Sequence, residues 1–205
     1  MEHLAKRHTA LLIIDMQNDA IDPKGKFASS GTPDHQRMQN AIANVQEIAS
    51  SFREAGMPVV HVHHVVNAGG LDGRQNAPLF RMITEAGGNV RGSWGARPVE
   101  GLEPQSGDFV VEKQRMNGFY DSDLDTKLRG LGADKIVVTG AWTNFAVEHT
   151  CRHGADAGYE VVLVGDATVT MGEEWQNAAV AYALSQIVEL VTTGEVVQAA
   201  QNAPA

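Results

Sequence analysis

Six short apolar runs rich in β-branched residues recur along the chain, and they constrain its fold more tightly than any single residue does. They are Ala10–Ile14, Pro58–His63, Phe109–Glu112, Ile136–Thr139, Val161–Val164 and Ile187–Val191. Runs this short, without polar alternation, read as strands covered on both faces. Helical patterns separate most of them. Asp34 to Ala55 carries Met38, Ile42, Val45, Ile48 and Phe52 on one face, with Thr32 and Pro33 placed as N-cap and first helical residue. Ser122 to Leu131 opens with Ser122 and Asp125 in near capping-box spacing and closes on Gly130 and Gly132. Thr143 to Ala157, Glu173 to Ser185 and a short C-terminal helix complete the alternation, and Gln201–Ala205 is expected to fray. Strands alternating with helices predict an α/β fold of three layers, α/β/α, around a mostly parallel six-stranded sheet. A chain of 205 residues suits one such domain over 1–205.

Composition narrows the partners. A formal charge of −9 argues against nucleic acid or an anionic membrane. No apolar run reaches transmembrane length, and the opening Met1–Arg7 lacks the apolar core of a signal peptide. The single cysteine, Cys151, cannot form an internal disulfide, which points to a reducing cytoplasm. One segment breaks the rhythm of the chain. Val66 to Gly107 is rich in Gly, Pro, Asn and Arg, with at most a short helix near Ala77–Glu85. So long a connection in a compact domain is expected to serve as a lid or a subunit contact.

Three polar features stand at strand carboxyl ends: Asp15, Lys113, and the elbow from Gly140 to Ala146. In open parallel sheets a ligand sits beyond those ends, where strand order reverses. With order 3-2-1-4-5-6, strands one and four flank that point and Asp15 faces the elbow. A strand that turns at a glycine into a helix is also where α/β enzymes present a nucleophile, since first-turn N–H groups and the helix dipole stabilise an anion. Position 146 holds alanine instead. Cys151 lies five residues on, rotated by roughly 140° about the helix axis, and reads as a small residue packed against the sheet. His61, His63 and His64 cluster after strand two with Asp72 downstream, but His64 points to the opposite face from the other two. His64 is expected near the pocket or an interface, and the others packed or solvated.

Three stretches then resemble the isochorismatase-like cysteine hydrolases. They are Ala10-Leu-Leu-Ile-Ile-Asp-Met-Gln-Asn-Asp19, Gly107-Asp-Phe-Val-Val-Glu-Lys-Gln-Arg-Met-Asn-Gly-Phe-Tyr-Asp-Ser-Asp-Leu124, and a third run. That run goes from Val138-Thr-Gly-Ala-Trp-Thr-Asn through Glu148-His-Thr-Cys-Arg to Gly158-Tyr-Glu-Val-Val-Leu-Val-Gly-Asp-Ala167. The resemblance covers nearly the whole chain. It implies a Rossmann-like cytoplasmic domain, a homo-oligomer (dimer or tetramer), that hydrolyses amide-like C–N bonds through Asp, Lys and Cys without a cofactor. Asp15 matches the general base and Lys113 its partner. The Ala141–Trp142 peptide matches a non-proline cis bond which, with the N–H at 146, points donors into an oxyanion hole. The metal pattern of the family's nicotinamidases, Asp-x-His with a later His, is absent, so no metal is expected.

The departure from the family pattern Thr-Asn-x-Cys-Val-Glu is Ala146, within Thr143-Asn-Phe-Ala-Val-Glu148. Either a cysteine has been replaced to give an inert protein that retains substrate, or the chain is a natural cysteine-less relative. The retained Thr-Asn, with Asp15 and Lys113 intact, favours the first. As written the chain should be nearly inactive in amide hydrolysis, because no acyl-enzyme can form. Two other readings stay open: an isochorismatase-type vinyl-ether hydrolase that needs no thiol, and a catalytically dead binding member with a filled or collapsed pocket. Candidate substrate contacts are Gln17, Trp94, Arg115, Asn117, Phe119, Tyr120 and Trp142, a set suited to a small planar amide or carbamoyl compound. Arg115 reads as either a carboxylate clamp or a surface ion pair, and Phe119 as either pocket or core.

Overall fold

The computed structural model describes residues 8–70 and 72–202. The reading of Met1–Arg7 therefore lies outside the described residues, as does the end of the expected frayed tail, 203–205. Along the chain the elements are β1 (Thr9–Ile14), α1 (Asn18–Ile21), α2 (Thr32–Gln39), α3 (Ala41–Glu54), β2 (Val59–His64), α4 (Pro78–Ala86) and β3 (Phe109–Lys113). They continue with α5 (Leu124–Gly130), β4 (Lys135–Ala141), α6 (Glu148–Asp156), β5 (Glu160–Val169), α7 (Glu173–Asn177), β6 (Glu189–Val191) and α8 (Thr193–Gln201).

The strands form one six-stranded sheet in the order β3-β2-β1-β4-β5-β6. Every pairing is parallel. Each residue of β1, β2 and β4 is buried, which is why these runs lack polar alternation. The strand period of two sorts β1 between two cores. Leu11 and Ile13 pack with Val45, Ile48 and Phe52 of α3 and Val196 of α8. Leu12 and Ile14 pack with Leu124 and Leu128 of α5 and with Val147 and Cys151. Helices on both faces make the three layers. Strand order reverses between β1 and β4, so the ligand crevice belongs at their carboxyl ends.

Several local expectations are corrected. The helical pattern from Asp34 to Ala55 is two helices, because Asn40 adopts a left-handed conformation (φ 54°) between α2 and α3. Met38, assigned to the buried face, ends up 72% exposed. Gly31 rather than Thr32 occupies the N-cap of α2, while Pro33 does sit in its first turn. The segment after β4 begins as a π-turn, Thr143–Val147, before α6, and a second π-turn, Ala178–Ala183, follows α7. The last strand starts two residues late, because Ile187 and Val188 donate back to the Leu184 carbonyl. No helix among the described residues is long and apolar enough to cross a membrane.

The segment 66–107 carries α4 and is pinned to the residues that follow β1. Gln17 bridges Pro98, and the Asp19 N–H donates to the Gly95 carbonyl at 2.9 Å. The buried Asp19 carboxylate accepts from the Asn89 N–H at 2.7 Å and from the Lys26 N–H at 3.1 Å. A Cβ at Gly95 would lie 2.1 Å from that carboxylate, so only glycine passes there. The segment thus walls the crevice.

Candidate active site

Asp15 follows the last residue of β1, in a left-handed conformation (φ 50°) that turns it out of the strand. Lys113 closes β3, two strands away. Its side chain is completely buried and crosses the end of β2, and Nζ donates to Asp15 Oδ2 at 2.7 Å. Burial dominates both groups. It pushes the Asp15 carboxyl above its ordinary range, although the ammonium pulls the other way, and it lowers Lys113. A carboxylate so placed takes up a proton more readily than a solvated one, as a general base requires. Its second oxygen, Oδ1, is buried and has no hydrogen-bond partner among the described residues.

Opposite stands the elbow. Gly140 has φ 113°, and a Cβ there would fall 2.0 Å from the Ile14 carbonyl oxygen. Glycine lets β4 close against β1 where the site begins. The Ala141–Trp142 peptide is cis. The π-turn that follows is held by threonines: Thr143 Oγ1 donates to Gln176 Oε1 at 2.6 Å, and Thr150 Oγ1 donates to the Ala146 carbonyl at 2.7 Å. Gln176 in turn donates to Thr168 Oγ1 at 2.9 Å, and Thr150 Oγ1 accepts from the Gly118 N–H at 2.9 Å. Thr170 donates its hydroxyl to the Asn144 carboxamide oxygen.

Asp15, Ala146, Ala141 and Trp142 line one cavity together with Phe27, His64, Ile83 and Asn89. Its volume is about 30 Å³, which is room for very few waters. Ala146 is 1% exposed. The Trp142 ring meets Phe27 edge-on at 5.8 Å, and its Nε1 is buried without a partner among the described residues.

The other sequence candidates stand elsewhere. The Gln17 amide is consumed by main chain: it donates to the His64 and Ala96 carbonyls and accepts from the His64 N–H. It is a strut between β2 and the 66–107 segment, because a buried amide must satisfy each of its polar atoms. Trp94 is 41% exposed and Tyr120 59% exposed, and neither lines the cavity. Arg115 lies over the Phe80 ring at 3.5 Å and donates to the Arg74 carbonyl and to Asn76, so it ties α4 to β3 and makes no ion pair among the described residues. Asn117 contacts His153 Nδ1 and accepts from the Phe119 N–H. Phe119 is core: it stacks on His153 with centroids 4.8 Å apart and packs on Tyr159.

The histidines separate as their strand positions foretold. His64 lines the cavity, whereas His61 Nε2 meets the buried Asp108 carboxylate at 3.1 Å. Among the described residues no group of three His, Cys, Asp or Glu side chains is arranged to hold a metal. Cys151 is completely buried in the second core, and burial pushes its thiol up to about 12. That removes it as a nucleophile. Asn89 escaped the sequence reading because it lies in the aperiodic segment. The one local signal is its place after Gly87-Gly88, where a left-handed residue (φ 51°) is needed and Asn tolerates it. A wider cleft of about 810 Å³ opens at the amino ends of β2 and β3, remote from these groups and lined by residues such as Arg53, Pro58 and Phe109.

Comparison with known proteins agrees with this fold. The isochorismatase domain family matches residues 9–195. The ureidoacrylate amidohydrolase RutB of Stutzerimonas stutzeri is 35% identical over 186 residues, covering 85% of this chain and 75% of that protein. The RutB of Azorhizobium caulinodans is 33% identical over 202 residues, covering 93% and 88%. A cysteine hydrolase from Pseudomonas syringae pv. phaseolicola superposes with a TM-score of 0.85 at 26% identity, covering 98% of this chain and 96% of the other.

Proposed function

Because the chain belongs to the isochorismatase domain family, we propose that its site is built to hydrolyse an amide-like C–N bond of a small ureido, carbamoyl or amide compound, and that Ala146 marks the nucleophile's address. The observation that carries this reading is the buried Asp15–Lys113 pair at 2.7 Å, opening on the same cavity as the Ala146 methyl. The activity for which the RutB relatives are named, ureidoacrylate amidohydrolase, supports the ureido class. With a thiol at 146, Asp15 would take its proton and the sulfur would attack the carbonyl carbon, forming a C–S bond. The oxyanion would be met by N–H groups at Trp142 and 146. Collapse would break the C–N bond, with the proton passing from Asp15 to the departing amine. Water activated by Asp15 would then cleave the acyl-enzyme, releasing the acid and returning a proton to sulfur. With a methyl group there, none of these steps can begin. The reading takes the protein as a cytoplasmic homo-oligomer, with a cysteine replaced by Ala146. The cavity of about 30 Å³ is smaller than a ureido acid, so its wall must open to admit substrate.

Ammonia release over a panel of amides, ureides and carbamoyl acids tests the proposal. The Ala146→Cys protein should turn over at least one of them and the unaltered chain none; no turnover by either, on folded protein, removes the reading. The small cavity is the observation that favours a second reading, a binding member without catalysis. It predicts silence from both forms. Turnover of isochorismate by the unaltered chain would instead establish vinyl-ether hydrolysis without a thiol.

A further inference from the structure

Two buried acceptors on the cavity wall have no partner among the described residues: Asp15 Oδ1, which belongs to the proposed base, and Asn89 Oδ1. A chain of hydrogen bonds determines which end of the Asn89 carboxamide is left unpaired. His64 Nε2 lies 3.2 Å from the Gln114 carbonyl oxygen. A carbonyl can only accept, so Nε2 carries the hydrogen. In a neutral imidazole Nδ1 is then an acceptor, and its neighbour at 3.1 Å must be the Asn89 NH₂ group. The amide cannot turn over without placing its oxygen against that lone pair. Its main chain is fixed as well, by the Asn89 N–H on Asp19 and by the Asn89 carbonyl accepting from the Val66 N–H at 3.0 Å. Burial and the Lys113 charge keep the ring neutral by pushing His64 down to about 3.

We infer that Asn89 Oδ1 is the acceptor for an N–H of the substrate, and that His64 is the positioning residue that dictates which end of the Asn89 amide the substrate meets. The inference rests on the amide chemistry proposed above and adds a selectivity to it. A buried acceptor is left unsatisfied by an ester but satisfied by an amide or ureido N–H, so the site discriminates between two carbonyl compounds that Asp15 alone would treat alike.

Matched probes read this selectivity. 3-Ureidopropanoate carries N–H groups, and monomethyl glutarate has nearly the same shape with none. Asn89→Gly suits the left-handed backbone and keeps both main-chain hydrogen bonds while deleting the carboxamide. In the Ala146→Cys background, Asn89→Gly should lower the ureido-to-ester ratio of kcat/KM by about 10- to 100-fold. His64→Phe, which preserves ring volume but frees the Asn89 amide to turn, should lower the same ratio. A ratio unchanged by Asn89→Gly overturns the inference, since a merely structural Asn89 would reduce both reactions together. Calorimetric binding to the unaltered chain separates this from the hydrolase reading. If the Ala146→Cys protein turns over nothing, the hydrolase reading falls, yet Asn89→Gly should still weaken 3-ureidopropanoate against monomethyl glutarate. No detectable binding of 3-ureidopropanoate, or equal weakening of both probes, overturns the inference.

Discussion

Lys113 shows what a single residue contributes at this site. A lysine with no exposed surface is tolerable because its ammonium meets Asp15 at 2.7 Å. Replacing it by methionine fills the same space but leaves the carboxylate buried without a counter-charge. Lys113→Met should therefore cost about 3–5 kcal/mol when Asp15 is ionised. The sign with pH follows from the carboxyl. Its folded pKa, already raised by burial, would rise further without the ammonium, so the penalty grows with pH and shrinks as Asp15 protonates. Urea midpoints at pH 5 and pH 8 check this, and a larger loss at pH 5 would contradict it. Asp15 and Lys113 were legible because each stands where an apolar run stops, and position 146 because of the elbow and the family pattern around it. Asn89 was not, since the groups that give it meaning, His64 and Asp19, are brought to it by tertiary structure alone. Phe119 and Gln17 failed as substrate contacts for a related reason. Motif membership put them near the site, but packing and main-chain hydrogen bonds had already claimed them.

Among the elements, the elbow is the most demanding. Gly140 combines φ 113° with a Cβ position 2.0 Å from the Ile14 carbonyl oxygen, and the neighbour is backbone that cannot swing away. Gly140→Ala should destabilise by about 3 kcal/mol or more. In a domain of this size that lowers Tm by roughly 6–12 °C in a calorimetric scan. A Tm within 2 °C of the parent would mean that β1 and β4 are not apposed as described. Strand positions were legible because buried parallel strands leave short, continuous apolar runs, whereas the order was assumed for a doubly wound sheet and is the one observed. Helix boundaries were less so. Apolar spacing runs through Asn40 without interruption, and only the left-handed backbone there divides α2 from α3. The π-turn at Thr143–Val147 is likewise invisible to a period of 3.6, being imposed by the threonine contacts beneath the elbow.

For the molecule as a whole, buried histidines set the response to acid. His64 is held down to about 3 and His63 to about 4, both chiefly by burial, and burial also lowers His61 and His35. Their unfolded values lie near 6.5, so below that pH the unfolded chain binds protons that the folded chain refuses. Stability should fall as pH drops from about 6.5 toward 4, by on the order of 1–2 kcal/mol for each of His64 and His63 between pH 7 and pH 5, with His61 and His35 acting in the same direction. Denaturant midpoints across that range measure it, and a rise in stability toward pH 5 would contradict the neutral, buried placement of these rings.

The sheet order brings the ends of β1, β2 and β4 to one cavity, with Lys113 reaching Asp15 from the end of β3, and the function proposed for the chain depends on that convergence. Its most direct test is ammonia release by the Ala146→Cys protein beside the unaltered chain, on 3-ureidopropanoate and related amides, ureides and carbamoyl acids. The account predicts turnover by the Ala146→Cys protein alone. Equal silence from both folded proteins, or ammonia release by the unaltered chain, would contradict it.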